Sequence, residues 1–342
     1  MTVLITGVAG FIGSAVALEL LRQDKTVVGI DNLNDYYDVK LKEDRLAQCL
    51  PYSKFSFERI NIINRQAISQ LFLTHHFENV VHLAAQAGVR YSFKNPTIYI
   101  DSNLVGFGNV IEAAYQCQVK HFIFSSSSSV YGANKKQPFS EKDSVDHPLS
   151  LYAATKRANE LIAHCYAYYG LPCTGLRFFT VYGPWSRPDM ALIHFTQNIL
   201  QDCPIHVFNE GNMVRDFTYI DDIVAGVIGL LNHIPSKSGR GEERNPSMSD
   251  CAPYRIYNIG NHQPVQLIYY IKMLEKFLNK KAKIEMMPIQ TGDIPYTYAD
   301  VRDLENLIGK LPHTPLEVGM KRFVEWYHAY YRKSALCALS QA

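Results

Sequence analysis

Hydrophobic spacing along the first half of the chain switches repeatedly between two periods. Thr2 to Thr6 is a short apolar run rich in β-branched residues, the pattern of a buried strand. From Phe11 to Arg22 the spacing becomes helical, with Ile12, Val16, Leu20 and Leu21 near one face. Thr26 to Asp31 reads as a second strand ending in an acid. This order predicts a βαβ unit, whose right-handed crossover makes the strands parallel. The alternation continues through strand 80–84, helix 103–116, strand 121–126, helix 151–169 and strand 173–178. Residues 1–179 are therefore expected to form an α/β, Rossmann-type doubly wound parallel sheet.

Beyond Tyr182 the pattern loosens. Helical stretches at 191–201, 222–232, 267–278 and 316–331 mix with short strands at 205–208, 255–259 and 283–287. The expectation is a smaller mixed α/β domain from 180–213 and 261–342, the chain returning to the first domain around 214–260. The polar stretch 236–253 reads as an exposed loop, and His75-His76 as a helix-to-strand connection. The tail after Lys333 carries no pattern.

Composition narrows the class. The chain has 342 residues with 34 basic and 32 acidic side chains, a net charge of +2. So even a balance predicts no broad basic field for nucleic acid or an anionic membrane; an anionic ligand must be held by a few placed groups. The seven cysteines, among them Cys337, form no CxxC pair, and the histidines have no metal-ligand spacing. A reducing, cytoplasmic setting without disulfides or a metal site is expected. No apolar run approaches a membrane span, so a soluble protein is expected.

Gly7-Val8-Ala9-Gly10-Phe11-Ile12-Gly13 gives GxxGxxG directly after a strand and opening a helix. Side chains in such a turn would push a pyrophosphate away from the backbone N–H groups, and the helix N-terminus offers unpaired donors to that charge. Gly13 would let the helix pack closely on the sheet. Asp31, about 20 residues on, can accept from an adenosine ribose and would repel a 2′-phosphate, favouring NAD over NADP. A plain structural turn is the alternative, and the strand, helix and acid together argue against it.

Tyr152-Ala153-Ala154-Thr155-Lys156 puts a phenol and an ammonium on one helix face. A nearby cation can draw a phenol's pKa of about 10 towards neutrality and make it a usable acid or base. The same spacing also occurs on ordinary exposed faces. Context favours chemistry: strand 121–126 runs into Ser127-Ser128-Ser129-Val130-Tyr131-Gly132, which exposes hydroxyls at a strand's carboxyl end, where doubly wound sheets bind ligands.

The segments GVAGFIG, HLAAQAGVRYS, SSSSSVYG, LYAATK, RFFTVYGPWSRPDM, RDFTYIDDI and GDIPYTYAD, in this order, resemble the NAD-dependent epimerase/dehydratase family of extended short-chain dehydrogenases, nearest its UDP-glucuronate 4-epimerases. The resemblance spans nearly the whole chain. It implies that Tyr152 is the acid/base on the sugar 4-hydroxyl, that Lys156 tunes it and holds the nicotinamide ribose, and that Ser127 completes the hydroxyl relay. It implies a tightly held NAD regenerated in every turnover, touched by the glycine turn (Gly7, Gly10, Phe11, Ile12, Gly13), by Asp31 and Asn32, by Leu83, Ala84 and Ala85, and by Asn103 near the pyrophosphate. For a UDP-sugar it implies contacts at Arg90 and Thr180, the diphosphate on Arg215, the uridine ribose on Asp293 and the uracil on Val207 and Phe208. Arg215-Asp216 could equally be a local ion pair, and Val207-Phe208 core.

Within that family, dehydratases carry an Asp-Glu pair after the loop hydroxyl, and the related decarboxylases a glutamate in that loop. Here those positions are Ser128 and Ser129, which cannot donate protons at a suitable pKa but can hydrogen-bond a carboxylate. Arg187 is a candidate to help; it could also be a diphosphate contact or a surface residue. Gln290 stands where UDP-glucose epimerases have an arginine, as in the uronate branch. The expected activity is 4-epimerisation of UDP-glucuronate to UDP-galacturonate through a 4-keto sugar. A UDP-glucose or UDP-N-acetylglucosamine 4-epimerase is the enzymatic alternative, and an NAD-binding regulatory module the non-enzymatic one. The resemblance also implies a homodimer through the 103–116 and 151–169 helices.

Overall fold

The computed structural model describes residues 1–237 and 246–339. Seven parallel strands form its central sheet: β1 (Thr2–Thr6), β2 (Thr26–Asp31), β3 (Phe55–Arg59), β4 (Asn79–His82), β5 (His121–Ser127), β6 (Cys173–Phe178) and, further along the chain, β10 (Tyr254–Ile259). Their spatial order is β10-β6-β5-β4-β1-β2-β3. The order reverses between β1 and β4, so the loops leaving those two strands part and open a crevice at their carboxyl ends. Helices cover both faces, and β1, β4, β5 and β6 are buried almost throughout. Such strands read as continuous apolar runs because both of their faces meet helices.

The remaining strands lie outside this sheet. β7 (Thr180–Tyr182), β9 (Val214–Tyr219) and β11 (Pro264–Gln266) form one small sheet; β8 (Pro204–Phe208) and β12 (Lys283–Met287) pair in parallel. The 151–169 pattern is a helix over Leu151–Tyr168, capped at its start by the Ser150 side chain. The 103–116 pattern begins as a π-helical stretch, Asp101–Gly106, and becomes α-helical only over Phe107–Gln116. His75 and His76 do lie between a helix ending at Thr74 and β4. The final helix runs from Leu316 to Leu339, beyond its patterned part. The stretch 236–253 falls partly outside the described residues; its described end adds one bridge, Met248 to Arg255.

β3 and the 39–47 and 65–74 helices have no strong periodic signature. β3 is an edge strand, half-exposed and alternating with polar residues, so it never shows the apolar run that marks the central strands.

One buried ion pair fixes the 151–168 helix on the sheet. Arg177 of β6 meets Glu160 through Nε to Oε1 at 2.8 Å and Nη2 to Oε2 at 3.0 Å, both side chains fully buried. Ser126 of β5 donates to the same carboxylate at 2.7 Å. Burial alone would raise the Glu160 pKa; Arg177 outweighs it and holds the carboxyl below its ordinary range. Arg157 also reaches Glu160, at 3.0 Å, so it is removal of Glu160 that strands a charge, that of Arg177, without solvent. Glu160→Met should therefore cost about 3–5 kcal/mol in denaturant unfolding, while Arg177→Met with Glu160→Met should recover most of it. A single-variant cost below about 1 kcal/mol would contradict this role.

Candidate active site

The crevice at the switch point is a cleft of about 470 Å³. Its floor is the glycine turn between β1 and the Phe11–Arg22 helix. Gly7 has φ +72°, and a Cβ there would lie 2.8 Å from the Ala84 backbone nitrogen. A Cβ on Gly13 would lie 2.2 Å from the Gly7 carbonyl oxygen. The third glycine thus lets the helix close on its own turn, more than on the sheet. With these positions bare, the backbone forms a cradle at a helix N-terminus, where a pyrophosphate fits.

Gly7, Gly10, Phe11, Ile12 and Gly13 all line the cleft, as do Asp31, Asn32, Leu83, Ala84 and Ala85. The Asp31 carboxylate accepts from the Leu33 backbone N–H at 2.9 Å and from that of Ala9 at 3.2 Å. It therefore ties the end of β2 to the glycine turn. Burial raises its pKa, opposed by these bonds and by Lys42. Lys42 also lines the cleft, its ammonium 2.6 Å from the Asn34 carbonyl and 2.7 Å from the Asn34 side-chain oxygen. Spacing gave no hint of Lys42: it comes from a short, largely polar helix whose inward face is set by tertiary contacts. An acid for ribose hydroxyls, a bare turn and a cleft of this size together fit a dinucleotide.

Asn103, expected near the pyrophosphate, is not among the residues that line the cleft. Its side chain is 1% exposed and lies beneath the cleft, outside its lining. The amide oxygen accepts from Gln86 N–H at 2.8 Å, and its NH₂ group donates to the Gln86 carbonyl and the Thr155 hydroxyl at 3.0 Å each. With its hydrogen bonds met by protein, it braces the loop after β4 against the 151–168 helix.

At the other end of the cleft lie Ser127, Ser128, Ser129, Tyr152, Lys156 and Thr180. β5 ends at Ser127, whose hydroxyl donates to the Ser129 hydroxyl at 3.1 Å and accepts from the Ser129 N–H at 3.2 Å. Tyr152 and Lys156 do share a helix face, but the ammonium turns down to the strand end. It donates to the Ser125 carbonyl at 2.7 Å and the Ser125 hydroxyl at 2.9 Å. Burial pushes the Lys156 pKa down to about 7. Burial likewise raises that of Tyr152, and the Ser127 hydroxyl and the charge of Arg187 work against that rise.

Arg187 lines the same end, paired through Nε with Asp189 Oδ1 at 3.0 Å. Burial opposes its charge, but Asp189 prevails and its pKa is raised. The Tyr36 hydroxyl donates to Asp189 at 3.2 Å across the cleft mouth, and burial with Asp189 pushes the Tyr36 pKa up to about 12.

The other predicted residues gather outside this cleft. Arg90 donates to Asp293 at 2.9 Å, and its guanidinium lies 4.5 Å from the Phe208 ring centroid. Arg215 donates to the Val214 and Pro295 carbonyls at 2.9 and 3.1 Å, and burial lowers its pKa against the pull of Asp293. Arg215 and Asp216 do not pair: Asp216 is buried and accepts backbone N–H groups of Asn261, His262 and Ala299. Val207 is fully buried in the core, and Phe208 beside it is half-buried.

Among the described residues no cluster of three or more His, Cys, Asp or Glu could hold a metal ion, and no helix is long and apolar enough to cross a membrane.

A model of the NAD dependent epimerase/dehydratase family matches residues 3–260. The chain is 51% identical to Protein CapI of Staphylococcus aureus over 97% of its own length and 100% of that protein. It is 46% identical to a probable UDP-glucuronate 4-epimerase of Rhizobium meliloti, over 98% and 99%. Among solved structures, the UDP-glucuronic acid 4-epimerase of Bacillus cereus, in complex with UDP-glucuronic acid and NAD, superposes with a TM-score of 0.86 at 33% identity, covering 97% of this chain and 100% of that one.

The buried ammonium makes a pH prediction. A lysine with a folded pKa of about 7 and an unfolded value near 10.5 opposes folding in full below pH 7, and that opposition fades as pH rises towards 10.5. For protein freed of nucleotide, the stability advantage of Lys156→Met over wild type should fall by roughly 2–3 kcal/mol between pH 7 and pH 9. Denaturant titrations at the two pH values measure it; a constant gap would mean that Lys156 is not desolvated.

Proposed function

We propose, from the premise that this chain belongs to the NAD-dependent epimerase/dehydratase family, that it epimerises UDP-glucuronate at sugar carbon 4, giving UDP-galacturonate. The observation that carries this reading is one cleft in which the Tyr152 phenol, the three serine hydroxyls and the glycine turn face the same space. The serine loop supplies no carboxyl group, so it lacks the extra acid that elimination of water requires.

In this reading Tyr152, as phenolate, takes the proton of the sugar 4-hydroxyl as carbon 4 becomes a ketone, and returns it when the carbon is reduced on its opposite face. NAD, when bound, supplies a reversible hydride acceptor whose oxidised ring is positively charged. That charge adds to Ser127 and Arg187 in favouring the phenolate over the burial that opposes it. Lys156, anchored on Ser125, is placed to hold ribose hydroxyls while keeping the cleft floor fixed. Gly7, Gly10 and Gly13 would admit the pyrophosphate, and Asp31 with Lys42 the adenosine ribose.

For the uronate group, the hydroxyls of Ser128, Ser129 and Thr180 are the preferred holders, because Arg187 already has Asp189 as its counter-charge. The cluster of Arg90, Phe208, Arg215 and Asp293 would take the uridine diphosphate end, with two cations, one acid and an aromatic face. Residues 1–179, with a return around 214–260, make the cofactor half; 180–213 and 261–342 make the UDP-sugar half.

A homodimer and a cytoplasmic setting complete the proposal. The outer face of the Leu151–Tyr168 helix and its neighbour leave Tyr115, Leu161, Tyr168 and Tyr169 between 40% and 63% exposed, an apolar patch suited to a second copy. The six described cysteines are all free, as a reducing compartment maintains.

Purified protein with no added cofactor should convert UDP-glucuronate to UDP-galacturonate, read by chromatography; preference for UDP-glucose would defeat the uronate assignment. Tyr152→Phe should keep its NAD and lose turnover by at least about a hundredfold. Leu161→Glu with Tyr168→Glu should halve the mass measured by light scattering, and an unchanged mass would remove these helices from the interface.

A further inference from the structure

Arg45 lies on the Val39–Ala47 helix with its side chain wholly buried. Its guanidinium reaches two parts of the chain that meet nowhere in sequence. On one side Nη1 donates to the Ala9 carbonyl, inside the glycine turn, at 3.1 Å, and to the Tyr37 hydroxyl at 2.7 Å. On the other, Nε and Nη2 donate to the Trp185 carbonyl at 3.1 and 2.7 Å, and Nη2 to the Ser186 carbonyl at 3.3 Å. Among the described residues no carboxylate pairs with it. A buried cation satisfied by four oxygens that carry no net charge is an expensive way to link two loops, since the Asp31 carboxylate acts on it only through space and shares no hydrogen bond with it. A planar fork with donors on both edges suits it to bridge two sites.

The segment it grips carries the sugar end of the cleft. Trp185 has φ +65°, a conformation uncommon for a non-glycine residue, and Arg187 and Asp189 follow directly. Trp185 packs on Trp326 and Tyr330 of the last helix, with ring centroids 5.3 and 5.0 Å apart, and the Tyr330 hydroxyl donates to Asp44, next to Arg45, at 2.7 Å. The same short helix supplies Lys42 to the cofactor end.

We infer that Arg45 is a positioning residue that clamps the Trp185–Asp189 segment to the glycine turn, so that the cofactor and sugar ends of the cleft are assembled as one unit. It touches neither Tyr152, Lys156 nor Ser127. Loosening it therefore makes sugar binding bear the cost of ordering the segment, and reaches the phenol only through the charge of Arg187, which the segment carries. Ordering one backbone residue corresponds to about tenfold or more in an equilibrium constant.

The inference rests on the epimerase reading for its substrate. Arg45→Met and Arg45→Lys, purified with NAD and assayed with NAD in excess, test it on UDP-glucuronate. The KM should rise at least about tenfold in Arg45→Met, with a smaller fold-loss in kcat that enters through Arg187, and Arg45→Lys, able to hold one side but not both, should fall between it and wild type. In the non-turning Tyr152→Phe background, equilibrium dialysis should show the same weakening for UDP-glucuronate and less than twofold for UDP alone; damage to the whole fold would weaken both. A KM within twofold of wild type in the folded variants overturns the clamp, as does a kcat loss at constant KM. Should Arg45→Met not fold, Arg45→Lys decides on the same terms. A wild-type protein that neither binds nor converts UDP-glucuronate defeats the epimerase reading instead. In that case the rate of NAD loss on desalting judges the clamp: faster loss from the variants supports it, and equal rates overturn it.

Discussion

Everything in the cleft depends on a cation placed where water cannot follow. Lys156 is carried inward by a helix that a buried ion pair and a buried hydroxyl pin to the sheet, and among the described residues its ammonium is hydrogen-bonded only at the end of β5. That end cannot shift without disturbing both neighbours in the sheet. Ser127, two residues on, inherits the same rigidity, and so does Tyr152 one turn back along the helix. The cost is a lysine whose charge is held at the margin of stability near neutral pH. A site built this way is poised for ligands that bring hydroxyl groups and a compensating charge distribution.

Burial raises the pKa of the Tyr152 phenol, and a serine and an arginine from two other elements oppose that. The base is therefore unfinished in the protein alone. In the proposed reaction the cofactor's charge would complete it, which would link chemistry to cofactor occupancy and favour keeping the dinucleotide bound between turnovers.

Much of this was legible in the sequence where local sterics or a buried face dictate the residue. The glycine turn is readable because Gly7 and Gly13 leave no room for a Cβ, and the central strands because burial on both faces enforces apolar runs. Motif position does not tell what a side chain meets: that of Asn103 is hydrogen-bonded to Gln86 and Thr155, and that of Val207 lies in the core. Lys42, Tyr36 and Asp189 escaped notice because their meaning lies in contacts between segments far apart in the chain, where neither period nor spacing leaves a trace. The same holds for β3, an edge strand with one face half open to solvent.

In the proposed reaction a single carbon is oxidised and then reduced by a dinucleotide that stays bound. The most direct measurement uses UDP-glucuronate carrying deuterium on carbon 4, with the product isolated from ordinary water. Retention of deuterium on carbon 4 of UDP-galacturonate is the predicted result. Replacement of that deuterium by solvent hydrogen would mean that a proton, not a hydride, leaves the carbon, and the assignment of the cleft would be wrong.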